Sequence, residues 1–257
     1  MRTWVYIDGF NLYYAIKQYG KKWIDIKRLA EEAMPDGTEV HKVKYYTARV
    51  SGAIDPDQPR RQQIYLKALQ TIPEVEIFFG NFLSRPQWKP LLNLPVAERS
   101  IHSSDPPVRL PAGEHLVSEV AETGGETFEL LNIGSYPKKE RRSVQKPAAN
   151  ALRARIHTME EKGSDVNLAC HLINDAWKDC YDQAVIITND TDLVEPIRIV
   201  TQERARPVTL LCPMPKGAAT ELKNVATHTR HIREAHVTAS QFPDTLPITS
   251  IRKPNDW

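Results

Sequence analysis

The chain has 257 residues, 41% hydrophobic and 26% charged, with 34 Lys+Arg against 32 Asp+Glu and a formal net charge of +2. That length buries a substantial core in one large α/β domain, or in one domain with an insertion, and the composition is ordinary for a globular protein. The near balance of charge excludes a protein that is basic throughout. It does not exclude a nucleic-acid binder in which acidic residues gather at metals and basic ones at the rim.

The chain opens on Trp4-Val5-Tyr6-Ile7, a β-rich run stopped by Asp8-Gly9, which predicts the first strand. Apolar residues at helical spacing predict a helix over 10–19, closed by Gly20, and a second over 26–34, closed by Pro35. A strand is predicted over 40–50, a helix over 57–69 and a strand over 75–83. This β, α, β, α, β order favours a parallel sheet with helices on both faces.

The rhythm breaks from Ser84 to about Ala149. This segment holds Pro106-Pro107, Gly124-Gly125 and the basic run Lys138-Lys139-Glu140-Arg141-Arg142. So long a stretch points to a functional flap, a small subdomain or disorder. Residues 114–120 and 128–133 read as strands of a β-hairpin flap.

The α/β pattern resumes at 152–158. A helix is predicted over 164–177, with Val166, Ala169, Cys170, Ile173 and Trp177 on one side. The most hydrophobic strand, 184–188, is expected at the centre of the sheet. A helix over 192–204, a strand over 207–212 and a helix over 220–228 follow. The tail from Gln241 is Pro-punctuated and expected along the surface. The whole, 1–257, reads as one domain with an insertion at about 84–150.

Cys170, Cys180 and Cys212 form no CxxC pair and no Cys/His zinc spacing, so all three read as small buried hydrophobes in a reducing compartment. No apolar stretch has the length of a signal peptide or a membrane span, so a cytoplasmic location without membrane attachment is expected. His171 and His231 fall on predicted helices and read as structural.

Four aspartates stand where a parallel sheet builds its sites. Asp8 ends the first strand, Asp190 and Asp192 follow the 184–188 strand, and Asp165 opens the 164–177 helix. Sites in such sheets lie beyond the carboxyl ends of strands, so these acids can converge. Converging carboxylates repel one another unless a hard divalent cation holds them. Mg2+ or Mn2+ takes such oxygen ligands, and a pair of ions about 3.5–4 Å apart can activate water and stabilise a leaving oxygen.

Each acid also has an ordinary explanation. Asp8-Gly9 is a common turn, Asp165 in a first helical turn complements the macrodipole, and Asp192 with Glu195 fits an Asp-x-x-Glu helix cap. Asp190, after a buried strand, is harder to explain away. Asn11, one turn after Asp8, could orient water or phosphate, or simply open a helix. Thr188 and Asn189 suit either phosphate and carboxylate contacts or turn chemistry.

Three motifs then resemble those of the NYN domain, a branch of the PIN-like nuclease superfamily, in its bacterial form. They are Val-Tyr-Ile-Asp-Gly-Phe-Asn-Leu (5–12), Glu-Lys-Gly-Ser-Asp-Val (161–166) and Thr-Asn-Asp-Thr-Asp-Leu (188–193). The resemblance covers roughly 1–83 and 151–241. Asn189 stands where the family usually has Gly, and Leu193 where it usually has Phe; neither change removes a carboxylate.

The resemblance implies a PIN-like three-layer α/β/α sandwich around a mostly parallel sheet, here with a long insertion. It implies an RNA-hydrolysing site in which Asp8, Asn11, Asp165, Asp190 and Asp192 are catalytic and the four aspartates hold Mg2+ or Mn2+. PIN-like relatives often pair, which suggests a homodimer. Substrate contacts are expected from Thr188, Asn189, Arg60, Arg61, Lys138, Lys139, Arg141 and Arg142, with Arg49, Arg153 and Arg155 as further phosphate ligands. Trp88 and Tyr136 could stack on unpaired bases or pack the flap.

Two rival readings remain at this stage. One is a catalytically silent RNA-binding or regulatory module of the same fold. The other is a Mg2+ phosphotransfer enzyme on a similar sheet. A Toprim site would want a glutamate where this chain has Asp8, and a haloacid-dehalogenase-like site would want a second aspartate at Phe10.

Overall fold

A computed structural model describes residues 1–50, 56–90, 114–116, 153–214, 217–247 and 249–255. The chain divides into two compact units, Met1–Asn81 with Glu161–Trp257, and Phe82–Glu160.

In the first unit, β1 (Thr3–Asp8) leads into α1 (Gly9–Lys17) and α2 (Ile26–Ala33). Then come β2 (Val40–Ala48), α3 (Gln58–Leu69) and β3 (Val75–Pro90), the last of which runs on past the unit's boundary. After the second unit, α4 (Ser164–Trp177) is followed by β6 (Gln183–Ile187), β7 (Val208–Cys212) and β8 (His228–His231). Between them lie α5 (Val194–Arg198) and α6 (Thr220–Val225), and α7 (Glu234–Ala239) closes the series.

The six strands lie in the order β3-β2-β1-β6-β7-β8, and every neighbouring pair is parallel. Alternate residues feed two separate cores. Val5, Ile7, Val43, Tyr45, Val185 and Ile187 pack under α1, α2, α3 and α7. Tyr6, Tyr46, Ala184, Ile186 and Leu210 pack under α4, α5 and α6. Covering both faces explains why β6 is buried at all five positions and reads as a continuous apolar run rather than an alternating one. This is the PIN-like α/β/α sandwich expected from the sequence, with 184–187 central as predicted.

In the second unit, β4 (Glu114–Leu116) pairs antiparallel with β5 (Arg153–Lys162), with Glu114 opposite Thr158 and Leu116 opposite Ile156. The predicted strand over 128–133 lies outside the described residues, as do Tyr136, Lys138, Lys139, Arg141 and Arg142.

Several expectations need correction. Helix α4 has its predicted bounds, but its core side carries Leu168, Leu172, Asp175 and Ala176, while Val166 and Trp177 are 64% and 49% exposed. The two leucines recur at four residues and take the buried stripe, leaving the other apolar residues outside or at its margin. Cys170 rides on the outer side and is exposed, Cys180 is half-buried, and only Cys212 is buried as expected.

The predicted helix over 192–204 is built in three pieces: a 3-10 turn (Thr191–Leu193), α5, and a π-helical turn (Ile199–Glu203). Pro196 lacks an N–H and so fits only the first turn of α5. The helix over 220–228 stops at Val225, and His231 lies on edge strand β8, where polar, mostly exposed side chains give no apolar alternation to read. The tail packs rather than merely lying on the surface. Phe242 lies 5.6 Å from Trp23, ring to ring, and the Trp23 Nε1 donates to the Pro243 carbonyl at 2.9 Å. Among the described residues no helix is long and apolar enough to cross a membrane.

Candidate metal centre

The parallel register brings the carboxyl ends of β1 and β6 side by side, with Ile7 opposite Ile187. Asp8 is the last residue of β1 and the N-cap of α1; its Oδ1 accepts the Asn11 N–H at 3.0 Å. Its Oδ2 accepts the Thr188 hydroxyl at 3.1 Å, from the residue just after β6. Asp8 is 7% exposed and Thr188 fully buried, so the carboxylate is held at both oxygens on the floor of the site.

The sharp turn into α1 depends on Gly9. A Cβ there would lie 2.5 Å from the Tyr46 carbonyl and 2.7 Å from the Tyr45 ring. Backbone and ring press on this position, so the Asp8-Gly9 pair is required by packing as well as by turn chemistry. The Tyr45 phenol is buried, and burial with the neighbouring Asp8 charge pushes its pKa up, keeping it neutral.

Asp165 reaches the same place from the other side of the sheet. Gly163, with φ +96°, takes the left-handed conformation that starts α4, which accounts for the glycine in the Lys-Gly-x-Asp motif. The Ser164 hydroxyl then donates to the Thr47 carbonyl at 3.2 Å, tying the first turn of α4 to the end of β2. That fastening was not foreseen from the sequence.

Beyond β6, the Thr188 Oγ1 accepts the Asp190 N–H at 3.1 Å, and the Asp190 Oδ1 accepts the Asp192 N–H at 2.9 Å. Asp190, not Asp192, therefore caps the following turn. Glu195 pairs with Arg198 at 2.6 Å instead of completing a capping box.

Together these fastenings bring one oxygen each from Asp8, Asp165 and Asp190 within 4.8 Å of one another. Three carboxylates at that spacing, joined by no histidine or thiol among the described residues, form a hard oxygen donor set of the kind Mg2+ or Mn2+ takes. Asp192 is exposed and stands outside this triad.

Asn11 and Asn189 lie at the site, and the Asn11 side chain meets the Asn189 backbone. The Asn11 Oδ1 accepts the Asn189 N–H at 3.2 Å. The Asn189 Oδ1 accepts the Ala219 N–H at 2.9 Å and the Cys212 thiol at 3.6 Å. Arg60 and Arg61 sit in the first turn of α3, Arg60 exposed and Arg61 half-buried. Arg49 lies over the half-exposed Phe79 ring, 5.1 Å from its centre.

Fold and acidic triad define a PIN-like α/β/α protein. The model of the NYN domain, a PIN-like nuclease family, matches residues 115–233. That stretch includes the motifs of Asp165, Asp190 and Asp192, while the motif of Asp8 and Asn11 lies before it. The chain is 27% identical to the 6-hydroxy-3-succinoylpyridine 3-monooxygenase HspA of Pseudomonas putida, over 100% of this chain and 75% of that protein. A crystal structure of a protein of unknown function from Vibrio parahaemolyticus aligns with a TM-score of 0.45 at 14% identity, covering 91% of this chain and 93% of that one.

Proposed function

We propose that this protein is a metal-dependent endoribonuclease, acting in the cytoplasm on RNA phosphodiesters. The reading is carried by one observation, the convergence of Asp8, Asp165 and Asp190 from three separate elements to within 4.8 Å. Like charges at this spacing repel, and hydrogen bonds with Asn11 and Thr188 hold Asp8 and Asp190 in place against that repulsion.

A bound Mg2+ or Mn2+ would supply charge neutralisation and an acidified water at neutral pH. Asp8, Asp165 and Asp190 would hold such an ion, with Asp192 at the rim of the site. Asp8 is oriented by the Asn11 N–H and the Thr188 hydroxyl, so its position is set before any ligand arrives. Water adds to phosphorus, the bond to the 3′ oxygen breaks, and the products carry a 5′-phosphate and a 3′-hydroxyl. Arg60 and Arg61, with the basic run at 138–142, contact backbone phosphates, which gives affinity without sequence choice.

A second reading is favoured by the name of the Pseudomonas relative: a monooxygenase acting on a hydroxypyridine. Three carboxylates, with no histidine beside them among the described residues, suit a hard divalent ion better than the two-histidine, one-carboxylate set of non-haem iron oxygenases.

The test is cleavage of labelled single-stranded and structured RNAs with Mn2+, Mg2+ or EDTA, by wild type and Asp190→Asn. Metal-dependent cleavage lost in the variant supports the nuclease. Metal-independent binding by both proteins without cleavage supports a silent RNA-binding module. Oxygen consumption with a hydroxypyridine and a reductant, with RNA left intact, supports the oxygenase.

A further inference from the structure

We propose that Asn189 is a positioning residue, the bracket that fixes the loop carrying Thr188 and Asp190, and not a contact to substrate. The claim that it positions a metal centre rests on the nuclease reading above. The bracket itself rests on the hydrogen bonds.

The sequence suggested Asn189 for substrate binding because its side chain, like that of Thr188, suits a phosphate contact as well as turn chemistry. The structure gives its polar atoms other work. Its N–H is donated to the Asn11 Oδ1 at 3.2 Å, which joins the loop to α1. Its Oδ1 takes the Ala219 N–H at 2.9 Å, where the chain enters α6. The same oxygen takes the thiol of buried Cys212 at 3.6 Å, from the end of β7. Three neighbouring segments thus converge on one residue: β1–α1 on its backbone N–H, and β7 and the start of α6 on its side-chain oxygen.

The consequence runs through covalent neighbours. Thr188 holds Asp8 through its hydroxyl and receives the Asp190 N–H, so the loop sets two of the three clustered acids. A glycine at 189 would keep the N–H bond to Asn11 but lose the oxygen that receives Ala219 and Cys212. The asparagine, where the resembled motif usually has glycine, therefore adds a fastening instead of marking a decayed site. Groups that orient metal ligands in this way typically set affinity by about 10- to 100-fold.

The experiment compares wild type, Asn189→Gly and Asn189→Asp as full chains. Three readouts are taken: amide hydrogen exchange of peptides spanning 9–14 and 217–222 without metal, Mn2+ affinity from free-Mn2+ paramagnetic resonance, and RNA affinity in EDTA. The bracket predicts faster exchange over 217–222 in Asn189→Gly, about tenfold weaker Mn2+ binding, and unchanged RNA affinity in EDTA. Asn189→Asp, which keeps an acceptor oxygen, should hold exchange near wild type. Unchanged exchange in Asn189→Gly overturns the bracket, as does RNA affinity that falls in EDTA while exchange and Mn2+ binding stay the same. Wild type that takes up no Mn2+ overturns the metal-centre reading instead, and the exchange data still decide the bracket.

Discussion

Asp175 and Asp8 are both buried carboxylates, 5% and 7% exposed, and they sit among different neighbours. Asp175 is met by the Lys44 ammonium at 2.6 Å and the Tyr6 hydroxyl at 2.7 Å. The Lys44 nitrogen also lies 5.2 Å from the Trp4 ring centre and 5.5 Å from that of Phe78. Burial and the Asp175 charge push the Tyr6 phenol upward, so it stays a donor. This acid is answered inside the protein, and the result is a joint between β1, β2 and α4. Asp8, hydrogen-bonded by Asn11 and Thr188, also has two more carboxylates drawn up beside it. Matched charge fastens elements together; gathered like charge is an arrangement whose cost a divalent cation can offset.

The largest expected effect breaks the gathered site. Asp190→Asn should lower Mn2+-dependent RNA cleavage by at least about 100-fold, since loss even of a partner outside the ligands costs 10- to 100-fold. RNA binding in EDTA should persist, as measured by filter binding.

Breaking the matched site should cost stability instead. Lys44→Met leaves a buried carboxylate without its cation and should destabilise by about 3–5 kcal/mol in urea unfolding. Lys44→Met with Asp175→Leu should recover most of the loss. A single variant within about 1 kcal/mol of wild type would mean that water reaches the pair and that it is not a sealed joint.

Gly9→Ala touches the floor of the acidic cluster and should cost about 1–3 kcal/mol, because the added methyl meets the Tyr46 backbone. The same variant should weaken Mn2+ binding by moving the start of α1, measured by the same titration. The smallest effect sharpens the edge of the triad. Asp192→Asn should reduce cleavage by only about tenfold, as for a group acting through water. A loss equal to that of Asp190→Asn would put Asp192 among the direct ligands.

Much of the fold was legible because strand and helix periods differ and the strands here are strongly apolar. The run around Val185 and Ile186 marked the central strand, and Ser164 to Trp177 the clearest helix. The buried face of α4 was not legible, since Val166, Cys170 and Trp177 are as apolar in sequence as Leu168 and Leu172. Which stripe is buried depends on what the sheet presents to the helix.

At the site, the sequence by itself determined that acids would stand at the ends of β1 and β6 and at the head of α4, because strand ends, turn residues and the Gly before Ser164 are local signals. Only the tertiary structure decided that Asp8, Asp165 and Asp190 meet while Asp192 stays outside, that Asp190 rather than Asp192 caps the turn, and that Asn189 faces Ala219 and Cys212. It also made Lys44 and Asp175 a pair, 131 residues apart in the chain. Hydrogen bonds and ion pairs across such separations are set by strand register and helix docking, and no local pattern in the chain encodes either.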